Sequence, residues 1–199
     1  MYDKINSEIQ VILGEKEVIK KYNCRNSSGD YALKKFLREL YAYEYFNTKK
    51  VDFVPRMIGY DKSECWLILE NIRGVTLYDL IDAGDINHRK IIDELIKVDR
   101  YLFINKINYM HSSVKDILIS RREERMYIID FEYTYLYEYF QQILYESMFG
   151  SRMMRIKNST SRDKFLNVLR ERRNEFESYY YRKAKNAILS KLGLMRQKE

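Results

Sequence analysis

The apolar residues of this chain change their spacing once, near Gly74, and that change limits the folds open to it. Before Gly74 short alternating runs surround a single helical segment; beyond it the three-and-four spacing of helices dominates. A β-rich first part followed by a mainly helical second part is the α+β arrangement. Residues 8 to 22 read as a hairpin, in which Ile9, Val11 and Leu13 alternate and Gly14-Glu15-Lys16 turn the chain. Val18, Lys20 and Tyr22 then share one face of the second strand. No earlier strand is legible. After a polar loop over 23 to 30, Leu33, Phe36, Leu37, Leu40 and Tyr41 predict an amphipathic helix over 31 to 47, with Lys34, Lys35 and Arg38 on its polar face. Two short strands, 57 to 60 and 66 to 69, flank the turn Asp61-Lys62-Ser63-Glu64.

Past Gly74, Leu77, Leu80 and Ile81 open a helix, and Ile91, Ile92, Leu95, Ile96, Leu102 and Phe103 give a second one over 88 to 106. Two strand-like stretches, 117 to 119 and 127 to 129, are separated by a charged turn over 121 to 125 and end at Asp130-Phe131. A carboxylate directly behind an apolar strand is placed to face a cleft. Further helices are expected at 137 to 149 and 161 to 192. A length of 199 residues accommodates one domain of two lobes: residues 1–73, β-rich with one helix, and residues 74–199, helical and ending in a basic helix.

Composition excludes several classes. A hydrophobic share of 46% with 15% aromatics is that of a folded chain with a core. Cys24 and Cys65 have no CxxC partner, and with only two histidines neither a disulfide framework nor a structural zinc is expected. The N-terminus carries no signal pattern and no apolar run is long enough to span a bilayer, so a soluble cytoplasmic protein is expected. The net charge of +7 favours a polyanionic partner. From Asn158 onward eleven basic residues face five acids, interleaved with Phe165, Phe176, Tyr179 and Tyr180. The mixed signs favour a helix with solvated charges, and the alternative is a surface for nucleic acid or a protein partner.

Several short motifs, in order, resemble the protein-kinase-like superfamily over residues 9 to 150. Glu17-Val18-Ile19-Lys20 resembles the strand whose lysine holds the α- and β-phosphates of ATP, with Lys21 as its rival; Glu39, nineteen residues on, matches the helix glutamate that pairs with that lysine, with Glu44 as fallback. Val54 to Tyr60 and the run Trp66 to Leu77, with its Glu-x-x-x-Gly-x-x-Leu pattern, are similar to small bacterial and archaeal atypical kinases, aminoglycoside phosphotransferases and lipopolysaccharide core kinases. By that resemblance Glu70, Asn71 and Ile72 form the hinge that binds adenine. Asp130-Phe131-Glu132-Tyr133 stands where the superfamily has the Asp that holds Mg²⁺, in a form similar to choline kinases.

The catalytic loop departs from the pattern. His111-Ser112-Ser113-Val114-Lys115-Asp116 puts Ser113 at the position of the base and Asp116 at that of the metal-binding Asn, in a loop two residues short. Lys115 matches a lysine that neutralises the transferring phosphoryl group. A serine hydroxyl is no general base near neutral pH. Gly14 is the only glycine before Gly29, so no glycine-rich phosphate loop is present. The resemblance implies an ATP- and Mg²⁺-dependent phosphotransferase acting on a hydroxyl, of a protein or a small molecule. Ser113 raises the alternative of a nucleotide-binding pseudokinase or scaffold. The basic tail, which resembles that of the small atypical kinase of the tRNA-threonylcarbamoylation complex, raises a nucleic-acid-associated role.

Overall fold

The N-terminal alternation builds one five-stranded antiparallel sheet. Its strands are β1 (Lys4–Ile5), β2 (Ile9–Leu13), β3 (Glu17–Tyr22), β4 (Met57–Asp61) and β5 (Trp66–Glu70), in the order β1-β2-β3-β5-β4. The computed structural model describes residues 4–5, 9–24, 29–109, 113–120, 125–136 and 144–176. β1 corrects the expectation that the hairpin opens the fold: Lys4 and Ile5 pair with Val11 and Gln10. Two residues are too few for period-two alternation to reveal.

One helix, α1 (Gly29–Lys49), interrupts the sheet between β3 and β4 and packs on it through Ala32, Phe36, Leu40, Tyr43 and Phe46, all buried. The ring of Phe36 meets Tyr22 of β3 edge to face at 5.6 Å. Glu39 lies on this inward line, which is what carries a carboxylate to the sheet. Lys35 corrects the reading of a solvated polar face: it is buried, whereas Lys34 is exposed and Arg38 is half-buried.

Beyond β5 come β6 (Gly74–Thr76), α2 (Leu77–Ala83), α3 (His88–Ile104), β7 (Ile107–Tyr109), β8 (Ile117–Ser120), β9 (Arg125–Ile128) and β10 (Thr134–Leu136). α4 (Leu144–Ser147), α5 (Ser151–Met154), α6 (Ser159–Glu171) and a 3-10 turn (Arg173–Glu175) complete the described chain. Strands β6, β8 and β9 make one antiparallel sheet, and β7 pairs β10 in another. Thr76, Asn87 and Asn158 cap their helices by accepting the backbone N–H of Asp79, Lys90 and Ser161. The long helix expected over 161 to 192 is broken: after Glu171 the chain tightens, Arg172 bonds Asp93 and Glu175, and Phe176 turns inward, fully buried against the Tyr145 ring at 5.4 Å. The expected basic-tail helix past Phe176, and residues 137–143 of the helix expected before it, lie outside the described residues.

Both cysteine thiols are free; burial, with a hydrogen bond donated to the Cys65 side chain, pushes Cys24 up to about 12. Among the described residues no helix is long and apolar enough to cross a membrane.

Gly74 explains part of the Glu-x-x-x-Gly-x-x-Leu pattern. It opens β6, and a Cβ there would stand 2.8 Å from the carbonyl oxygen of Ile119 on β8. Leu77, three residues on, is fully buried in the first turn of α2. Gly74→Ala is therefore expected to lower the unfolding free energy by about 1–3 kcal/mol, since β6 must move off β8. Gly59→Ala, where the nearest atom lies at 3.9 Å, is expected to stay within about 0.5 kcal/mol of wild type in the same urea titration.

Candidate functional site

Lys20 stands in the middle of β3, paired with Val11 on one side and Leu67 on the other, so its side chain leaves the sheet on the face that α1 covers. Its Nζ lies 2.9 Å from Glu39 Oε1, 2.7 Å from Glu39 Oε2 and 3.0 Å from Asp130 Oδ1. Glu39 is completely buried and receives two further donors, the Tyr22 hydroxyl on Oε2 and the Phe131 backbone N–H at 3.2 Å on Oε1. These donors replace, for the buried carboxylate, the hydrogen bonds of water. Burial by itself would lower the Lys20 pKa, but the carboxylates of Asp130 and Glu39 outweigh it and hold the ammonium well above its ordinary value.

The packing of its neighbour Phe131 places Asp130. That ring is fully buried among those of Phe46, Tyr109 and Tyr43, at 4.9, 5.1 and 5.3 Å. Asp130 itself adopts φ of 71°, a left-handed conformation that Asp tolerates better than most residues. The Tyr109 hydroxyl donates to Ile129 O at 2.7 Å and the Ile129 N–H donates to Asp116 O at 2.9 Å. The Asp116 segment is thus tied to the approach to Asp130 by main-chain bonds.

The two aspartates shift in opposite directions. The Lys20 ammonium holds Asp130 below the usual carboxylate range, against the effect of burial. Burial raises Asp116, opposed by the Ser113 hydroxyl that donates to its Oδ2 at 2.7 Å and reinforced by the charge of Asp130. Arg152 of α5 lies 3.6 Å from the other oxygen of Asp116 and donates to Ser113 Oγ at 3.1 Å. Among the described residues no group of three or more His, Cys, Asp or Glu side chains is arranged around a metal position. Two carboxylates fit Mg²⁺ nonetheless, since that ion is bound by one or two carboxylates together with phosphate oxygens and water.

The other expected residues lie apart from this group or are otherwise engaged. Lys115 is exposed, with its Nζ 4.6 Å from the centre of the Tyr78 ring. The Glu70 N–H donates to Arg56 O, while Asn71 ties itself to the β2–β3 turn through its N–H on Lys16 O at 3.0 Å and its side chain on Gly14 O at 2.7 Å. The Ile72 amide has no such partner among the described residues. His111 lies outside them.

Tyr22, Lys35, Glu132 and Arg152 escaped sequence reasoning. Lys35 is buried 3.8 Å from Glu132 Oε2, with the rings of Tyr31 and Tyr133 at 4.6 and 5.1 Å from its ammonium. Its one sequence signal was its place four residues before Glu39, on the same helix face.

Solved structures of WbdD, described as a bifunctional kinase-methyltransferase, share this architecture. One superposes with a TM-score of 0.52 at 20% identity over 65% of this chain and 30% of that one. A second, a co-crystal structure with the kinase inhibitor LY294002, gives 0.52 at 18% identity over 68% of this chain and 33% of that one. The fold is kinase-like. This chain spans about a third of the length of those chains, and at such identity the likeness concerns the fold alone. No protein-family model and no curated protein matches the sequence.

Glu132 offers a test of the site's electrostatics. Burial, aided by the charge of Asp130, pushes its carboxyl up to about 7 from an ordinary 4.5. Between those values the folded chain holds a proton that the unfolded chain has released, so this group's contribution to stability falls as pH rises and levels off above 7. Glu132→Gln removes that dependence. Relative to wild type, the variant is expected to gain about 2 kcal/mol between pH 4.5 and pH 8 in denaturant titrations. An unchanged difference across that range would show that the carboxyl titrates normally.

Proposed function

We propose that this protein is an ATP- and Mg²⁺-dependent phosphotransferase. The observation that carries the reading is the strand lysine held at once by a buried helix glutamate and by the aspartate after β9: Lys20 with Glu39 and Asp130, at 2.7 and 3.0 Å. In this reading Lys20, kept charged and oriented by Glu39, holds the α- and β-phosphates. The base is recognised by backbone at the 70–72 segment, where the Ile72 amide has no other partner among the described residues. Asp130 and Asp116 would hold a magnesium ion, which would supply charge neutralisation for the transferring group. Asp116 and Arg152 border the acceptor side, where an acceptor oxygen, a hydroxyl by resemblance, would attack the γ-phosphorus of ATP as the bond to the ADP leaving group breaks, the hydroxyl proton passing to solvent.

Ser113 favours a second reading, that of a nucleotide-binding pseudokinase. Its Oγ donates to Asp116 and accepts from both the Lys115 N–H at 3.2 Å and Arg152, so its hydrogen-bonding capacity is filled within the protein. It neither takes nor orients an acceptor proton. Phosphoryl transfer depends mainly on positioning and charge neutralisation, so weak transfer without a base is compatible with the first reading.

Mg²⁺ with ATP is expected to raise the melting temperature, in keeping with about 2.7 kcal/mol of stabilisation at a hundredfold excess over Kd. Asp130→Asn, which tolerates the same left-handed backbone, is expected to remove the metal-dependent part of the shift and keep the fold. In a radiolabelled transfer assay Asp116→Ala should abolish activity and Ser113→Ala should hardly change it. Nucleotide binding without transfer, equal in wild type and Asp116→Ala, would establish the second reading. No nucleotide-induced shift at all would refute both.

A further inference from the structure

We propose that the acceptor is an anion, and that its phosphate or carboxylate group docks on Arg152. The inference rests on the phosphotransferase reading and names the class of acceptor that the same site takes. Where a base would attract a neutral hydroxyl through a lone pair, Ser113 presents none, being filled by three protein partners, and the Asp116 carboxylate beside it is taken up as a metal ligand in the proposed reading. Beside it stands a cation. One N–H of the Arg152 guanidinium goes to Ser113 at 3.1 Å, its side chain remains 52% exposed, and among the described residues no other hydrogen bond engages the five-donor fork.

Three further features support a built site rather than a stray surface arginine. Lys115, the other cation of the loop, lies over the Tyr78 ring. That leaves Arg152 as the cation bonded to the loop at Ser113. The element carrying Arg152 is held on both sides: Met153 and Ile156 are buried, the Tyr78 hydroxyl donates to Arg155 O at 3.0 Å, and Asp82 accepts the N–H groups of Lys157 and Asn158 at 2.7 and 3.0 Å. The fork is therefore positioned before any ligand arrives. Finally, Asp116 lies 3.6 Å from Arg152 and offsets its charge. A metal ion held by Asp116 would take up that carboxylate's charge and leave the guanidinium to an incoming oxyanion, which planar N–H pairs match in geometry.

The test is calorimetric titration of the full chain, saturated with ADP and Mg²⁺, with three probes: methyl phosphate, acetate and glycerol. At least one anion should bind measurably better than glycerol, and the stronger of the two tells whether the docking group is phosphate or carboxylate. Arg152→Gln should weaken that anion at least tenfold, and Arg152→Lys, which keeps the charge without the fork, by less. Wild type that binds neither anion better than glycerol, or Arg152→Gln that binds as wild type does, would overturn the proposal. An ADP titration run alongside separates the two readings. Absence of ADP binding refutes the phosphotransferase, whereas ADP binding without anion binding refutes the anionic acceptor alone.

Discussion

The buried pair of Lys20 and Glu39 is the constraint on which the rest of the site depends. Desolvating two charges costs more than their attraction returns unless other donors complete the shell, and here Tyr22 and the Phe131 N–H do so. The acceptor and its two donors fix different elements: Glu39 the middle of α1, Tyr22 the end of β3, Phe131 the segment after β9. Removing Lys20 would leave the Glu39 carboxylate buried without its counter-charge, a loss of about 3–5 kcal/mol in comparable cases. The pair therefore couples the sheet, the helix and the Asp130 segment into one arrangement.

That coupling determines the chemistry available. Phe131 fills a ring cluster with Phe46, Tyr43 and Tyr109, so Asp130 is held beside Lys20 in a left-handed backbone conformation that packing enforces. Asp116 is reached from the same segment through Ile129 but lies in a different field, where burial dominates and Arg152 is the nearby cation. Two carboxylates in one site, one drawn down by an ammonium and the other pushed up by burial, are suited to different roles. Beside Asp116 stand the Ser113 hydroxyl, which donates to it, and the Arg152 guanidinium, a cation and donor rather than a proton acceptor.

Much of this was legible in the residues, and the reasons are local. The β2–β3 hairpin, α1 and the β4–β5 pair each contain several apolar positions at one period, so they are visible without knowledge of their neighbours. Lys20 stood out by the resemblance of Glu17-Val18-Ile19-Lys20 to the kinase-like strand, Glu39 by its spacing of nineteen residues from that lysine, and Asp130 as a carboxylate behind an apolar strand. β1, β6, β7 and β10 were missed because two or three residues cannot display a period; pairing partners far along the chain make them strands. The break after α6 was missed because its apolar residues continue at helical spacing, while Phe176 finds a better burial site against Tyr145.

By itself the sequence determined the order of the longer strands and helices, the face of β3 that bears the lysine, and a serine, Ser113, where the resemblance expects a carboxylate, since these depend on residue type and spacing. Only the tertiary structure decided which charges meet. Lys35 turns inward because β10 brings Glu132 and Tyr133 against α1, and Lys115 turns onto Tyr78. Arg152 reaches Ser113 across a separation of 39 residues because α5 is anchored through Met153, Arg155 and Asp82. Burial and proximity between distant segments set the energy of a charge, and neither is a property of any residue taken alone.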